Sequence, residues 1–312
     1  MRIAALLAFL TTACGSDIPA PAQRGGAGSD DAARDSRAGD QNASVAGAAA
    51  APAEAETPHA SLRERLTMFF RLDEAGDQPR MDHVGGVPLV PWQRTGWGQY
   101  EVDARGTTAV PAAVGDGQHI AGASGYHFAT GSAGPMKHQG GSFNWAGWAS
   151  VDAADGDEPY RDEQTLLAKW NGIPDTFAPY DHREYRIWFD PAQSRWSFEV
   201  SSDGLSGAGH SQTLTHPAEI ERDRLYFVEA SHDAELEMIH LRVSSQTERG
   251  ALESAAFHGG VFSGDADLDV GAQNTCTDDH LEGVVDAIGH WTRVLSEAES
   301  LELWNGGAGI EL

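Results

Sequence analysis

Carboxylates are the most abundant reactive groups in this sequence, and in three places they cluster densely enough to interest a hard cation. Calcium takes several oxygen ligands from Asp, Glu and loop carbonyls. The clusters are Asp152, Asp155, Asp157 and Glu158; Asp265, Asp267 and Asp269; and Asp278 and Asp279 beside Asp286. None has the ligand positions or central glycine of the twelve-residue EF-hand loop. The first two read as solvated acidic loops. The third is the better calcium candidate, because Asp278 and Asp279 lie in the loop feeding the strand that bears Asp286. A competing reading pairs Asp286 with Arg293, fixing the turn from strand to helix. A fourth acidic run, Asp233-Ala234-Glu235-Leu236-Glu237, falls between two strand-like runs and reads as a hairpin loop.

The other chemistry-bearing residues are more dispersed. Thirteen histidines occur without a His-x-x-x-His pair, whereas a zinc site needs three or four convergent ligands. His138, His182, His210 and His216 fall in polar stretches and read as scattered surface residues. Cys276 is flanked by threonines and has no adjacent base, which makes it a poor thiol nucleophile. Trp92, Trp97 and Tyr100 lie in the Gly-rich stretch 91–106, expected to be irregular, and are candidates for stacking on a sugar ring. Trp145, Trp188, Trp196, Trp291 and Trp304 read as core.

Positioning such groups falls to strands. Residues 142–151 alternate Phe143, Trp145, Gly147, Ala149 and Val151 on one face, the period-two signature of a strand, while Trp148 points the other way. That strand is expected to be covered on both sides. Further strand runs centre on Tyr185, on Trp196, Phe198 and Val200, on Leu225 and Val228, on Ile239, Leu241 and Val243, and on 283–291. Turn signals separate them, which suggests an all-β sandwich or barrel. Near the C-terminus, Ser296 and Glu299 form a capping-box pattern ahead of a short helix with Ala298, Leu301 and Trp304 on one face. Asn305-Gly306-Gly307 supplies its terminator.

At the N-terminus Arg2 precedes an apolar run ending at Leu10, then small residues up to Cys14. This reads as a signal peptide at 1–14. It is too short to span a bilayer, and no later stretch reaches the roughly 20 apolar residues a spanning helix needs. Leu10-Thr11-Thr12-Ala13-Cys14-Gly15 resembles the bacterial lipoprotein lipobox, which implies diacylation of Cys14; Thr11 departs from the usual Leu, and ordinary signal-peptidase cleavage is the alternative. Residues 15–61 are rich in Ala, Gly, Pro, Asp and Ser, with Ile18 and Val45 their only large aliphatic side chains. Such a stretch cannot repay its ordering entropy and is expected to be a flexible linker. With only two cysteines, a disulfide framework is excluded. Twenty-one basic against 47 acidic residues give a net charge of −26, which repels nucleic acid and anionic lipid.

The C-terminal passage resembles the closing segment of bacterial laminin-G-like domains, within the concanavalin A-like lectin/glucanase superfamily. The residues concerned are Val284-Val285-Asp286, Trp291-Thr292-Arg293-Val294-Leu295-Ser296 and Trp304-Asn305-Gly306-Gly307. Phe70 to Gly76, 142–152 and Leu166 to Trp170 match earlier family strands in order. The resemblance implies a two-sheet antiparallel jelly-roll sandwich over 62–312 with one short C-terminal helix. Calcium sites in such relatives often use inter-strand loops. It implies no single activity, because the fold hosts lectins, adhesion modules and glycosidases. Related glucanases carry Glu-x-Asp-x-x-Glu on one strand, and the acids from Asp233 to Glu237 have neither that order nor that spacing.

The expected function is a surface-tethered binding module for carbohydrate or another envelope component, with loops at one end of the sandwich forming the site. A polysaccharide hydrolase or lyase and a structural or adhesive envelope protein are the alternatives. The expected location is the cell envelope, with membrane contact only through a lipid anchor.

Overall fold

A computed structural model describes residues 59–74, 80–86, 88–96, 99–101, 107–121, 124–128, 138, 140–153, 163–171, 182–273 and 279–312. Cys14, Trp97, Asp155, Asp157, Glu158, Cys276 and Asp278 lie outside these residues, as do the expected signal peptide and nearly all of the expected linker.

Seventeen strands are described: β1 (Leu66–Phe70), β2 (Arg80–Met81), β3 (Pro88–Gly96), β4 (Gln99–Glu101), β5 (Thr107–Pro111), β6 (Asp116–Ile120), β7 (Ser124–Phe128), β8 (Phe143–Ala149), β9 (Gln164–Asn171), β10 (His182–Asp190), β11 (Arg195–Ser201), β12 (Ser211–Thr215), β13 (Tyr226–Asp233), β14 (Met238–Ser245), β15 (Leu252–Ala256), β16 (Leu268–Val270) and β17 (Gly283–Trp291). A single helical turn, α1 (Ala60–Arg63), precedes them, and α2 (Glu297–Trp304) follows. Among the described residues no helix is long and apolar enough to cross a membrane.

The first sheet runs β15-β14-β13-β8-β17-β6-β5, with β1 also paired to β17. The second runs β12-β11-β10-β9-β16-β7-β3-β2, with β4 on β3. All the strand pairs are antiparallel. The chain is a two-sheet antiparallel β-sandwich with a short C-terminal helix.

The core lies between the sheets. Trp196, Phe198 and Val200 of β11 and Tyr185, Ile187 and Phe189 of β10 meet Trp145 of β8, Val228 of β13 and Leu241 of β14. Each such side chain contributes about 1.5–3 kcal/mol through burial. The first sheet has a second apolar layer on its outer face, where Leu62, Phe69, Trp148, Phe227, Trp291 and Leu303 pack together. This explains why every residue of β8 is buried, as its double-sided pattern predicts.

Strand β17 is kinked by a bulge. Its first half, from Gly283, pairs with β6, and its second half, to Trp291, pairs with β1. Between them the register with β8 shifts between Asp286 and Gly289, and Ala287 has φ 48°. A non-glycine residue pays for that left-handed backbone in strain, so the surrounding pairings must hold it there.

The helix α2 starts as its capping box predicts: the Ser296 hydroxyl accepts from the Glu299 amide, and the Glu299 carboxylate accepts from the Ser296 amide. Asn305 ends it in the left-handed conformation (φ 47°). The face assignment is corrected, however. Ala298 and Leu301 are exposed, Leu301 at 48%, and the helix buries Ser300 and Leu303 instead. The strands beneath present Glu229 and Arg242, so the docking residue must be polar. Ser300 donates to Glu229 and accepts from Arg242 Nη1 at 2.9 Å and Arg249 Nη2 at 2.8 Å.

Candidate functional site

At one end of the sandwich, loops from four separate parts of the chain enclose a polar cavity of about 490 Å³. The junction of α1 and β1 supplies Arg65, held at φ 57° with its carbonyl accepting from the Thr292 amide. The segment just before β8 supplies Gly141 and Ser142, the end of β13 and the turn after it supply Asp233 and Glu235, and the segment after β17 supplies Thr292, Arg293 and Val294. His138 completes the lining.

Hydrogen bonds brace the walls. Asp233 Oδ1 accepts from the amides of Glu235 at 2.9 Å and Leu236 at 3.0 Å, which closes the turn. The Ser142 hydroxyl accepts from the Ala234 amide at 3.0 Å, fastening that turn to β8. Arg293 is committed to Glu299 through contacts of 2.8 and 2.6 Å. Burial alone would raise the Glu299 pKa, but hydrogen bonds from Arg293 and Ser296 outweigh it and hold the carboxyl at about 2. Among the described residues, the Arg65 guanidinium and the Glu235 carboxylate have no such partners.

His138 was expected at the surface but is only 8% exposed, as is the 3% exposed His216. The His138 ring stacks on Phe143 with centroids 4.0 Å apart and lies 5.0 Å from His290. Neither of its ring nitrogens has a hydrogen-bond partner. Burial, seconded by nearby His290, Lys169 and His232, pushes its pKa well below the ordinary histidine value, so the ring is neutral. His290, fully buried, is lowered to about 3 by the same loss of solvent. Local sequence around His138 carries no signal of this burial.

This arrangement can grip a polar, hydroxyl-rich ligand. Arg65 offers a fork of N–H donors, and Asp233 and Glu235 offer acceptors across the cavity. Glu235 is exposed and Asp233 is occupied by turn amides, so neither sits in the apolar setting that prepares a carboxyl as general acid. The run from Asp233 to Glu237 is the turn its flanking strands predict.

A second polar cluster lies on the outward face of the second sheet. The Arg186 guanidinium lies over the rings of Trp170 and Trp188, 5.2 and 4.8 Å from their centroids. It donates to Glu199 at 2.9 Å, Gln273 at 2.7 Å and Glu163 at 2.5 Å. Its tryptophans are 3% and 8% exposed, and the guanidinium is taken up by Glu199, Gln273 and Glu163, which leaves little of it for a ligand.

The remaining sequence candidates are scattered. Asp286 is 0% exposed, and its Oδ2 accepts from the Val114 amide at 2.8 Å. Burial raises its pKa to about 7 against the opposing pull of the backbone amides. It does not pair with Arg293, which Glu299 has captured. Asp279 is half-buried just before Leu281 and the start of β17. Asp152 bonds the His119 ring at 2.7 Å, and Asp269, expected in a solvated loop, is buried within β16. Trp92 and Tyr100 fall in paired strands, where residues 91–106 were expected to be irregular; the β3 and β4 hairpin accounts for the difference. Of these two residues only the backbone is described.

No protein-family model matches the chain, and no curated protein matches it in sequence. Solved structures do resemble it in fold. The binding domain of Paraclostridial Mosquitocidal Protein 1 superposes with TM-score 0.53 at 11% identity, over 78% of this chain and 52% of that one. Trypanosoma rangeli sialidase in complex with 2,3-difluorosialic acid gives 0.53 at 14%, over 80% and 34%. The binding domain of botulinum neurotoxin DC, in complex with SialylT, gives 0.52 at 8%, over 78% and 51%. The chain therefore spans about half the length of the toxin domains and about a third of the sialidase. At these identities the likeness concerns the fold, and it joins binding domains with an enzyme.

Proposed function

We propose that this chain is an exported, surface-tethered glycan-binding module that holds its sugar in the end cavity between Arg65 and the β13–β14 turn. The observation that carries the reading is that an uncommitted guanidinium at Arg65 and acceptors at Asp233 and Glu235 line one cavity. Sugar hydroxyls, each donor and acceptor, suit that combination. The neurotoxin binding domain of similar fold, solved with SialylT, supports a glycan as ligand. Two cavity carboxylates and a net charge of −26 oppose an anionic sugar, so neutral glycans are the preferred class.

The test is a glycan array probed with the full chain, with and without calcium, followed by titration of the best neutral and sialylated hits. Arg65→Ala and Glu235→Gln, both at exposed positions, should weaken binding at least about tenfold, equivalent to 1.4 kcal/mol, without loss of folding. Binding that survives both substitutions would place the ligand elsewhere, and an array without hits would refute the module.

A further inference from the structure

A third group of polar side chains, outside the cavity lining, combines the connection between β1 and β2 with the turn that follows β2. Asp73, Glu74 and His83 place one ligand atom each within 4.8 Å of one another. Neighbouring hydrogen bonds preset all three. Gln118 Nε2 donates to the carbonyls of Leu72 at 2.8 Å and Glu74 at 3.1 Å, holding the backbone after the left-handed Leu72 (φ 62°). Glu74 Oε1 accepts from the Met81 amide at 2.7 Å, and Asp73 Oδ2 pairs with Arg71 at 2.8 Å. The His83 amide donates to the Phe69 carbonyl at 2.9 Å, and Asp82 closes the turn around it by accepting from Val84 and Gly85.

One atom in this group is unexplained. Glu74 Oε2 is sealed from solvent and has no hydrogen-bond partner. A buried carboxylate oxygen without a partner is costly, and a cation supplies what is missing. The neighbouring Asp73 is paired with Arg71.

We propose that Asp73, Glu74 and His83 bind a divalent transition-metal ion of the zinc type. Two carboxylate oxygens and an imidazole nitrogen are ligands zinc accepts, with water completing the tetrahedron. Calcium prefers six to eight oxygens and gains nothing from the imidazole. Manganese fits the carboxylates but binds such sites more weakly than zinc. The site is separate from the end cavity, and its fate does not depend on the glycan reading.

The test is calorimetric titration of the full chain, first stripped by a chelator, with zinc, manganese and calcium chlorides. The expected affinity order is zinc, manganese, calcium. His83→Ala, at an exposed position, and Glu74→Gln, which keeps an oxygen for the Met81 amide, should each remove one zinc equivalent. At minimum each should weaken it by about tenfold, the loss that even an outer-shell change causes at metal sites. His258→Ala, at another exposed histidine, should leave that equivalent intact. Zinc should raise the melting temperature of the wild type and not of the two site variants. Unchanged zinc binding in both site variants, loss on His258→Ala, or calcium binding more tightly than zinc would each overturn the proposal.

Discussion

The Asp286 carboxylate accepts a hydrogen bond from the Val114 amide at 2.8 Å, which ties the bulge of β17 to the turn joining β5 and β6. The acid at this joint is fully buried, with its pKa raised to about 7.

A raised carboxyl pKa makes stability fall with rising pH. Below the ordinary carboxyl pKa both folded and unfolded chains hold the proton; between there and about pH 7 only the folded chain does, so deprotonation favours unfolding. Asp286→Asn keeps an acceptor for Val114 and removes the titration. Denaturation series from pH 4.5 to 7.5 should show the variant gaining on the wild type toward neutral pH, by on the order of a few kcal/mol. A difference that does not change with pH would refute the assignment.

His138 has the opposite sign. Its folded pKa is well below the ordinary histidine value, so stability is present at neutral pH and lost as pH falls below about 6.5, where the unfolded chain takes up a proton first. His138→Phe fits a ring already stacked on Phe143 and breaks no hydrogen bond. The variant should unfold at lower pH than the wild type in an acid titration followed by tryptophan fluorescence. An unchanged acid midpoint would show that His138 does not govern this limb.

Ser300 is the polar joint under α2. Burial raises the pKa of Glu229, and the Ser300 hydroxyl and Arg242 counter that by stabilising its charged form. Ser300→Ala removes the hydroxyl and leaves a buried carboxylate short of a donor, a loss of about 1–3 kcal/mol. Urea denaturation measures it, and a cost no larger than that of Leu301→Ala on the exposed side would refute the joint.

These features differed in how far the sequence revealed them. The double-faced burial of β8 follows from Phe143 and Trp145 alternating against Trp148, a signal contained in seven residues. The cap of α2 is equally local, since Ser296 and Glu299 stand three positions apart. The buried side of that helix was not legible, because what selects Ser300 over Leu301 is the Glu229–Arg242 pair on strands far earlier in the chain. The cavity was not legible either. Arg65, His138, Asp233 and Thr292 meet through the registers of β1, β8, β13 and β17. No local period encodes such a meeting.

The pairing of β1 with β17 has a consequence for synthesis. Trp291 Nε1 donates to the Leu62 carbonyl across 229 residues of chain, and the same strand end aligns with Leu66. A ribosome makes β1 long before β17, its hydrogen-bonding partner. The apolar residues Met68, Phe69 and Phe70 of β1 find their sheet partner only once β17 has been made, so closing this edge of the sheet is a long-range step of folding.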